Sequence, residues 1–518
     1  MVRSAATVGA IAMDYKISLR NPPEAIGKDE YNARKSACHQ RSADRLLELC
    51  KLNGGIFVKL GQHIAAMVYL LPLEYTATMR VLWDQCTPTC LPDIEKLLVT
   101  DANATLADLF QHFDPKPLGV ASIAQVHKAV LKNGQAVAVK LQHLALDEHA
   151  KVDTKTVVAL VKFIKWAFPE FEFGWLADEL RDALPLELDF RNEAANAEKV
   201  RRNFVGNPIL HIPHVYDAKR RILIMEFIEG AKVDDLDYLK KYHISPRHVS
   251  VELNKIFSEM TFLHGFVHCD PHSSNVFIRY RPTPSFWTRW FSPGPINPYR
   301  FELVLLDHGL YKTIKRDFRL CYARLWDALI RADEQGIADE SYELFKSDLR
   351  DRVKHDGIDR HRLLASMLTG RSWEALSTGA MAKLRSAEEM NVIRSKALQG
   401  PFFIAIAEIL AQVPRELLLL LKTADLLRAV DESLGVGGKH GDEDHMMRMV
   451  SIMGVYTSRA IFEDAMSSLP FTTSFLPMSK YLDNRFYQIW MRYLSAITRL
   501  YIVRMYLTVK RVRALLFG

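Results

Sequence analysis

The sequence predicts an α+β protein of two lobes. A small sheet sits in the first lobe, the second is mainly helical, and a helical extension precedes both. Three observations carry this prediction. Apolar spacing of three and four dominates residues 28–112 and most of the chain after Ser245. Between them lie short stretches that alternate with period two. The chain has 518 residues, 49% hydrophobic and 25% charged, a composition that suits more than one packed unit rather than disorder.

The elements follow in order. Helical spacing runs from Ser42 to Leu52 and from Ile56 to Leu71, broken by Asn53, Gly54 and Gly55. Shorter helices are expected at Asp93–Leu98 and Thr105–Phe113. The period then changes. Ser122–Leu131 and Ala136–Leu141 read as strands joined by a hairpin turn at Lys132, Asn133 and Gly134. Helical pattern resumes at Lys151–Trp166 and Gly174–Phe204, with Pro185 expected to kink or restart the second of these. Residues 211–230 hold two more strands, and Val276–Tyr280 and Phe301–Leu306 interrupt an otherwise helical remainder. The expected units are 1–112, 113–230, 231–435 and 436–518, the third with an insertion at 281–300. That insertion has five prolines with Trp287, Trp290 and Phe291. It reads as an extended surface hairpin, with an aromatic contact loop as the alternative.

Cysteine usage excludes some classes. Of Cys38, Cys50, Cys86, Cys90, Cys269 and Cys321, only Cys86 and Cys90 are close, and no second pair completes a zinc site. Free thiols in a reducing compartment are expected. No apolar run of about 18 residues predicts a membrane-spanning helix. The opening MVRSAATVGAIAM makes a poor secretory signal and a weak presequence.

Four separated pieces point to chemistry together. AVAVK ends a strand in Lys140, which can reach nucleotide phosphates. ELDFRNEAANAEK supplies Glu187, Asp189 and Glu193 to position that lysine, with Asp189, Glu193 and Asn196 on one helical face. FVHCDPHSSNVFI holds His268, Asp270 and Asn275 at the spacing of a kinase catalytic loop: Asp270 to accept the proton of an acceptor, Asn275 to hold a metal ion. ELVLLDHGLYK presents Asp307 after a strand and before Gly309, as a second metal ligand. Hard oxygen donors of this kind suit Mg²⁺ with ATP or ADP. Each piece alone is ordinary; their order is that of a protein-kinase-like fold. The loop expected to cover the phosphates is unusual, because PLGVASIAQVHKA has only Gly119, followed by Val120, Ala121 and Ser122. Side chains there hold the backbone away from phosphate oxygens, so nucleotide preference or turnover should differ from an ordinary kinase.

Over residues 35–440 the chain resembles the UbiB/aarF-domain family of atypical kinase-like proteins. The motifs that carry the resemblance are Lys59-Leu60-Gly61-Gln62, the small-residue loop Gly119–Ser122, Glu187-x-Asp189-x3-Glu193-Ala194, His268-x-Asp270-Pro271-His272-x2-Asn275, and Asp307-His308-Gly309. PLELDF, FVHCDPH and VLLDHGLY are similar to a mitochondrial branch of it. The resemblance implies that Lys140 pairs with Glu193. It implies that Lys59 and Gln62 fold over the cleft, with Lys59 meeting Glu187 or Asp189. It also implies Gly119, Ala121 and Ser122 near the nucleotide, and catalytic roles for Lys59, Lys140 and Asp270. An extension lying where a protein substrate would bind argues for ATP hydrolysis or phosphotransfer to a small lipid-like molecule. The family context adds mitochondrial lipid and quinone homeostasis, inner-membrane organisation, a peripheral location on that membrane, lipid, quinone or protein partners there, and no nucleic acid. A silent pseudokinase scaffold and a lipid-binding or transfer chaperone are the alternatives. Ser273 and Ser274 depart from the family's Pro-Gly, which removes a rigid residue and a free one from the loop.

The +7 net charge resides in the tail. Residues 480–518 hold eight basic residues and one acid, leaving 60 of each sign elsewhere. Arg485, Arg492 and Arg499 repeat every seven residues, with Arg504 beyond and aromatic and aliphatic residues between. Two readings stay open: a helix on an anionic membrane surface, or a helix docked on the second lobe.

Overall fold

The computed structural model describes residues 2–66, 71–83, 88–168, 181, 184–282, 295–345, 359–378, 405–406, 408–410, 412–437, 443–469 and 484–517. The aromatic part of the proline-rich insertion and Cys86 lie outside the described residues. Cys38, Cys50, Cys90, Cys269 and Cys321 are free thiols.

The extension is a helical layer. Helix α1 (Val2–Ser18) packs on α2 (Lys28–Asn53), followed by α3 (Gly55–Ala66), α4 (Leu73–Met79) and α5 (Leu91–Ala102). Asp14 fixes the first crossing through ion pairs to Arg41 (2.7 Å) and Arg45 (2.5 Å) of α2. The break between α2 and α3 falls at the expected glycines: Gly54 has φ +66° and Gly55 φ +46°, a backbone that side chains rarely adopt. Leu49, Phe57, Val58, Met79 and Leu82 form the core of this layer, with Val157 of α6 (Ala145–Ala167) packed into it.

The first lobe is an antiparallel sheet. Its strands are β1 (Phe110–Phe113), β2 (Gly119–Val120), β3 (Ala124–Leu131), β4 (Ala136–Gln142), β6 (Val215–Ala218) and β7 (Ile222–Glu226), in the order β1-β3-β4-β7-β6 with β2 on β3. The β3–β4 hairpin turns through Gly134 at φ +84°. Strand β1 corrects the helix expected at Thr105–Phe113. Thr105 caps a single helical turn, and Phe110–Phe113 then pair with β3, Phe110 opposite Leu131 and Phe113 opposite Ala129. Phe110 is buried in the sheet core with Val137, Leu141 and Ile222, so tertiary pairing overrides a helix-like spacing.

Helix α7 (Phe190–Asn203) crosses behind this sheet. Its start differs from the Pro185 restart. The break lies at Leu188 and Asp189, where the Asp189 carboxylate caps the helix by accepting from Arg191 N at 3.1 Å.

The second lobe holds two small sheets: β5 (Leu210–His211), β11 (Phe301–Leu305), β10 (Val276–Tyr280) and β8 (Ala231–Lys232) in that order, and β9 (Phe266–His268) with β12 (Tyr311–Thr313). Around them pack α8 (Pro246–Glu259), α9 (Arg316–Arg331), α10 (Arg415–Ser433) and α11 (Glu443–Ser467). The main core runs through them, from Leu253 and Phe257 to Ile278, Phe301, Leu325 and Leu417. Burial of each such side chain contributes about 1.5–3 kcal/mol, and among the described residues this is the largest hydrophobic cluster. The tail forms α12 (Asn484–Phe517), docked on α11 through Trp490 and Tyr493 on Phe462 and through Leu500 over Gly454. Its opposite face is exposed, so features of both expectations for the tail coexist on one helix.

Candidate functional site

Strand register gathers the site. In β10 and β11, Val276 pairs with Leu305, which sets Asn275 beside Leu306 and Asp307; Leu306 N donates to the Asn275 carbonyl at 2.9 Å. In β9 and β12, His268 pairs with Tyr311, and Cys269 N donates to the Leu310 carbonyl at 3.0 Å. The segments that follow β9 and β11 therefore converge, and Asp270 and Asp307 line one cleft.

Lys140, near the end of β4, enters the cleft from the first lobe. Its ammonium donates to both Glu193 oxygens (2.8 and 2.9 Å) and to Asp307 Oδ2 (3.0 Å). The Phe190 ring lies 5.2 Å from the same nitrogen. Glu193 also accepts from His308 N at 3.3 Å, while Asn196 Nδ2 donates to the His308 carbonyl at 3.0 Å. One helix thus anchors both the lysine and the Asp-x-Gly segment. Burial works against charge on Lys140, but Asp307 and then Glu193 outweigh it and raise its pKa. Burial is the largest influence on Glu193. Against the pull of Lys140 it moves that carboxyl up to about 7. Burial also acts to raise Asp307, yet Lys140 and the Gly309 N–H at 2.8 Å hold it well below the carboxylate range.

The catalytic-loop candidates are held by their own turn. His272 N donates to the Asp270 carbonyl, and Asn275 N to the His272 carbonyl, each at 2.8 Å. His272 Nδ1 and Ser274 Oγ are hydrogen-bonded at 2.8 Å. Neither Ser273 nor Ser274 takes a positive φ, so the turn needs no glycine, and the Ser274 hydroxyl adds a tie of its own. Asn275 Nδ2 donates to the Asp270 carbonyl at 3.1 Å, which leaves the amide oxygen as its acceptor.

Helix α3 reaches the same cleft. Lys59 Nζ lies 2.9 Å from Glu187 Oε2, and both side chains are largely buried. Ile56 packs with Leu184 and Leu188 beneath this pair. Gln62 Nε2 donates to the Leu82 carbonyl at 3.0 Å, and its Oε1 accepts from Ser122 Oγ at 3.4 Å. The extension therefore touches the small-residue loop on one side and the segment before α7 on the other. Gly61 allows this approach: a Cβ there would stand 2.2 Å from Leu82 Cδ1, and Leu82 is fully buried.

The cleft has a volume of about 130 Å³. Lys59, Gln62, Ala121, Ser122, Lys140, Glu187, Glu193, Asp270, Asn275 and Asp307 all line it. Two predicted residues do not. Asp189 is turned to cap α7 and pairs with Arg191 at 2.6 Å, so Glu187 alone of the two meets Lys59. Gly119 lies in β2, exposed, with nothing within 4 Å of where a Cβ would stand.

Sequence reasoning missed Lys422. It projects from α10, and its ammonium lies 3.1 Å from Asp270 Oδ1. Burial acts to raise Asp270, but Lys422, then Lys59 and His268, hold it well below the ordinary range. The available signal was a lone lysine directly after the leucine run 417–421, in a helix that packs on the core.

Among the described residues no group of three or more His, Cys, Asp or Glu could by itself hold a metal ion. The Asp307 carboxylate and the Asn275 amide oxygen are hard donors that fit Mg²⁺, which fills its remaining positions with water and phosphate oxygens. Each carboxylate oxygen of Asp307 accepts one protein hydrogen bond and retains a second lone pair.

Known proteins resemble this chain closely. A family model described as the ABC1 atypical kinase-like domain matches residues 81–341. The AarF domain-containing protein kinase 1 of Mus musculus is 42% identical over 435 residues, 84% of this chain and 77% of the mouse protein. The ABC1 family protein MCP2 homolog of Schizosaccharomyces pombe is 36% identical over 479 residues, 92% of this chain and 81% of its own. Among solved structures, Rv3197 of Mycobacterium tuberculosis in complex with erythromycin aligns with a TM-score of 0.41 at 19% identity, over 79% of this chain and 100% of that one. The Rio2 kinase–ADP/Mg²⁺–phosphoaspartate complex of Chaetomium thermophilum aligns with a TM-score of 0.29 at 9% identity, over 68% and 93%. With matched motifs and sequence identity sustained over most of its length, the chain belongs to the ABC1/AarF family of atypical kinase-like proteins.

Proposed function

We propose that the protein binds a Mg²⁺–nucleotide in this cleft and hydrolyses it, or passes its terminal phosphoryl group to a small lipid-like hydroxyl, rather than phosphorylating proteins. In this reading Lys140, positioned by Glu193, receives the phosphates, with Ala121 and Ser122 beside them. Asp307 and Asn275 hold the ion, which when bound neutralises phosphate charge. Asp270 orients the attacking hydroxyl or water and accepts its proton.

The observation that carries the preference is the placement of α3. Through Lys59–Glu187 and Gln62–Ser122 it lies across the cleft, where a protein acceptor would need to approach. The remaining 130 Å³ is below the roughly 300 Å³ at which ligand pockets begin, so nucleotide entry requires α3 or the loop to give way. The resemblance to a mitochondrial branch supports a peripheral place at the inner membrane and a role in lipid or quinone homeostasis there.

The Lys422–Asp270 ion pair favours a second reading, a nucleotide-dependent scaffold whose catalytic carboxylate is masked. Purified full-length protein with MgATP separates the two. Under the first reading, wild type releases phosphate and Asp307→Asn does not; equal rates in both overturn it. Under the second, nucleotide raises the melting temperature, Lys140→Ala abolishes that rise, and no phosphate appears.

A further inference from the structure

The small-residue loop at the cleft is shaped by what grips it. None of Val120, Ala121 and Ser122 takes a positive φ, so the loop does not fold by the backbone freedom that glycines give a phosphate-covering loop. Two side chains hold it instead. Gln62 of α3 accepts from the Ser122 hydroxyl. On the other side, His143 Nε2 lies 3.0 Å from the Ala121 carbonyl oxygen, and His143 N donates to the Ile123 carbonyl at 3.1 Å. His143 directly follows β4, three residues beyond Lys140. One strand end therefore delivers the lysine to the cleft and clasps the loop above it.

The hydrogen bonds around His143 fix every proton. A carbonyl oxygen only accepts, so Nε2 carries the proton and donates to Ala121. In the neutral ring Nδ1 then accepts, from the Thr89 hydroxyl at 2.5 Å. Burial favours that neutral ring, against the pull of the Ala121 carbonyl. Thr89 is itself held by Gln125 of β3: its N–H donates to Gln125 Oε1 at 2.7 Å, and its carbonyl accepts from Gln125 Nε2 at 3.1 Å. The same amide nitrogen donates to His127 Nε2 at 3.0 Å, while His127 Nδ1 donates to the Asp114 carbonyl at 2.8 Å. Gln125 and His127 are fully buried. The chain of bonds thus has one direction and a rigid far end, and it orients the His143 ring toward Ala121.

We propose that His143 is a positioning residue of the nucleotide site: by holding the Ala121 carbonyl it sets the small-residue loop over the distal phosphates, and so determines the share of affinity that a nucleoside diphosphate gains from its second phosphate. Ala121 and Ser122 line the cleft, whereas His143 and Thr89 are not among its lining residues. His143 therefore acts through Ala121 and not by touching the nucleotide. This inference rests on the reading of the cleft as a nucleotide site.

Calorimetric titration of the full-length protein with MgADP and with AMP tests it. His143→Ala should weaken MgADP binding roughly fivefold, the weight of one hydrogen bond, and leave AMP binding within about twofold of wild type. His143→Gln should restore MgADP binding, because its amide nitrogen reaches as far as Nε2 and can donate to Ala121. His143→Asn reaches only as far as Nδ1 and should bind MgADP as weakly as His143→Ala. Where His143→Ala fails to fold, the Gln and Asn variants carry the comparison. Unchanged MgADP binding in His143→Ala, equal loss of MgADP and AMP, or equal behaviour of the Gln and Asn variants overturns the inference, the ring then being a structural prop. A wild type that binds neither ligand, or Lys140→Ala binding MgADP as wild type does, overturns the nucleotide reading of the cleft and this inference with it.

Discussion

The ammonium of Lys422 on α10 sits 3.1 Å from Oδ1 of Asp270, the carboxylate assigned to accept the acceptor's proton. A base held in an ion pair is a weak base, because the pair lowers its affinity for a proton. Lys422→Met should therefore move the Asp270 carboxyl up toward the ordinary range and raise phosphate release from MgATP several-fold. Steady-state kinetics read it directly. A fall in rate instead would show that the ammonium serves the phosphates.

Lys59→Ala leaves the buried Glu187 carboxylate without its cation, a loss of roughly 3–5 kcal/mol at a buried pair. Thermal or urea unfolding should show this. Lys59→Met with Glu187→Leu should recover most of the loss, since no charge is then stranded. Failure of the double variant to recover would place the energy in packing rather than in the pair.

Gly61→Ala tests the close approach of α3 to Leu82. The added methyl meets Leu82 Cδ1 at 2.2 Å, and Leu82 has no solvent to move into. Overpacking of this kind costs about 1–3 kcal/mol. Gly119→Ala meets nothing within 4 Å and should leave the melting temperature within a degree or so of wild type.

Asp431 gives a pH dependence far from the cleft. Burial pushes its carboxyl from 3.8 up to about 6, despite hydrogen bonds from Ser250 and Asn254. The raised value means that the fold favours the protonated form. That stability is full below pH 4 and is lost as pH rises through about 6, a loss of roughly 3 kcal/mol. Asp431→Asn should remove this part of the decline between about pH 4 and about pH 7, read as melting temperature against pH. Parallel curves for the two proteins would refute it.

Much of the site was legible because its pieces sit at fixed short spacings on strand ends and one helix turn. Lys140, Asp270, Asn275 and Asp307 are brought together by strand register, which a spacing pattern encodes. Asp189 was misplaced because helical periodicity does not tell a first interior residue from a cap; the Arg191 N–H and guanidinium decide that. Strand β1 was missed because Leu106, Leu109, Phe110 and Phe113 carry a helical spacing that only pairing with β3 overrides. Lys422 was missed because a contact between distant segments leaves no local trace beyond one charge after a leucine run.

The Gln62–Ser122 and Lys59–Glu187 contacts make α3 a competitor that never diffuses away. Tethered in the same chain, it faces the cleft at an effective concentration that dilution cannot lower. Under the proposed function, the apparent nucleotide affinity is then the intrinsic one scaled by the open fraction. Substitutions that loosen α3 should tighten nucleotide binding without touching the nucleotide, so in this chain a more fragile extension and a tighter-binding cleft would be one and the same change.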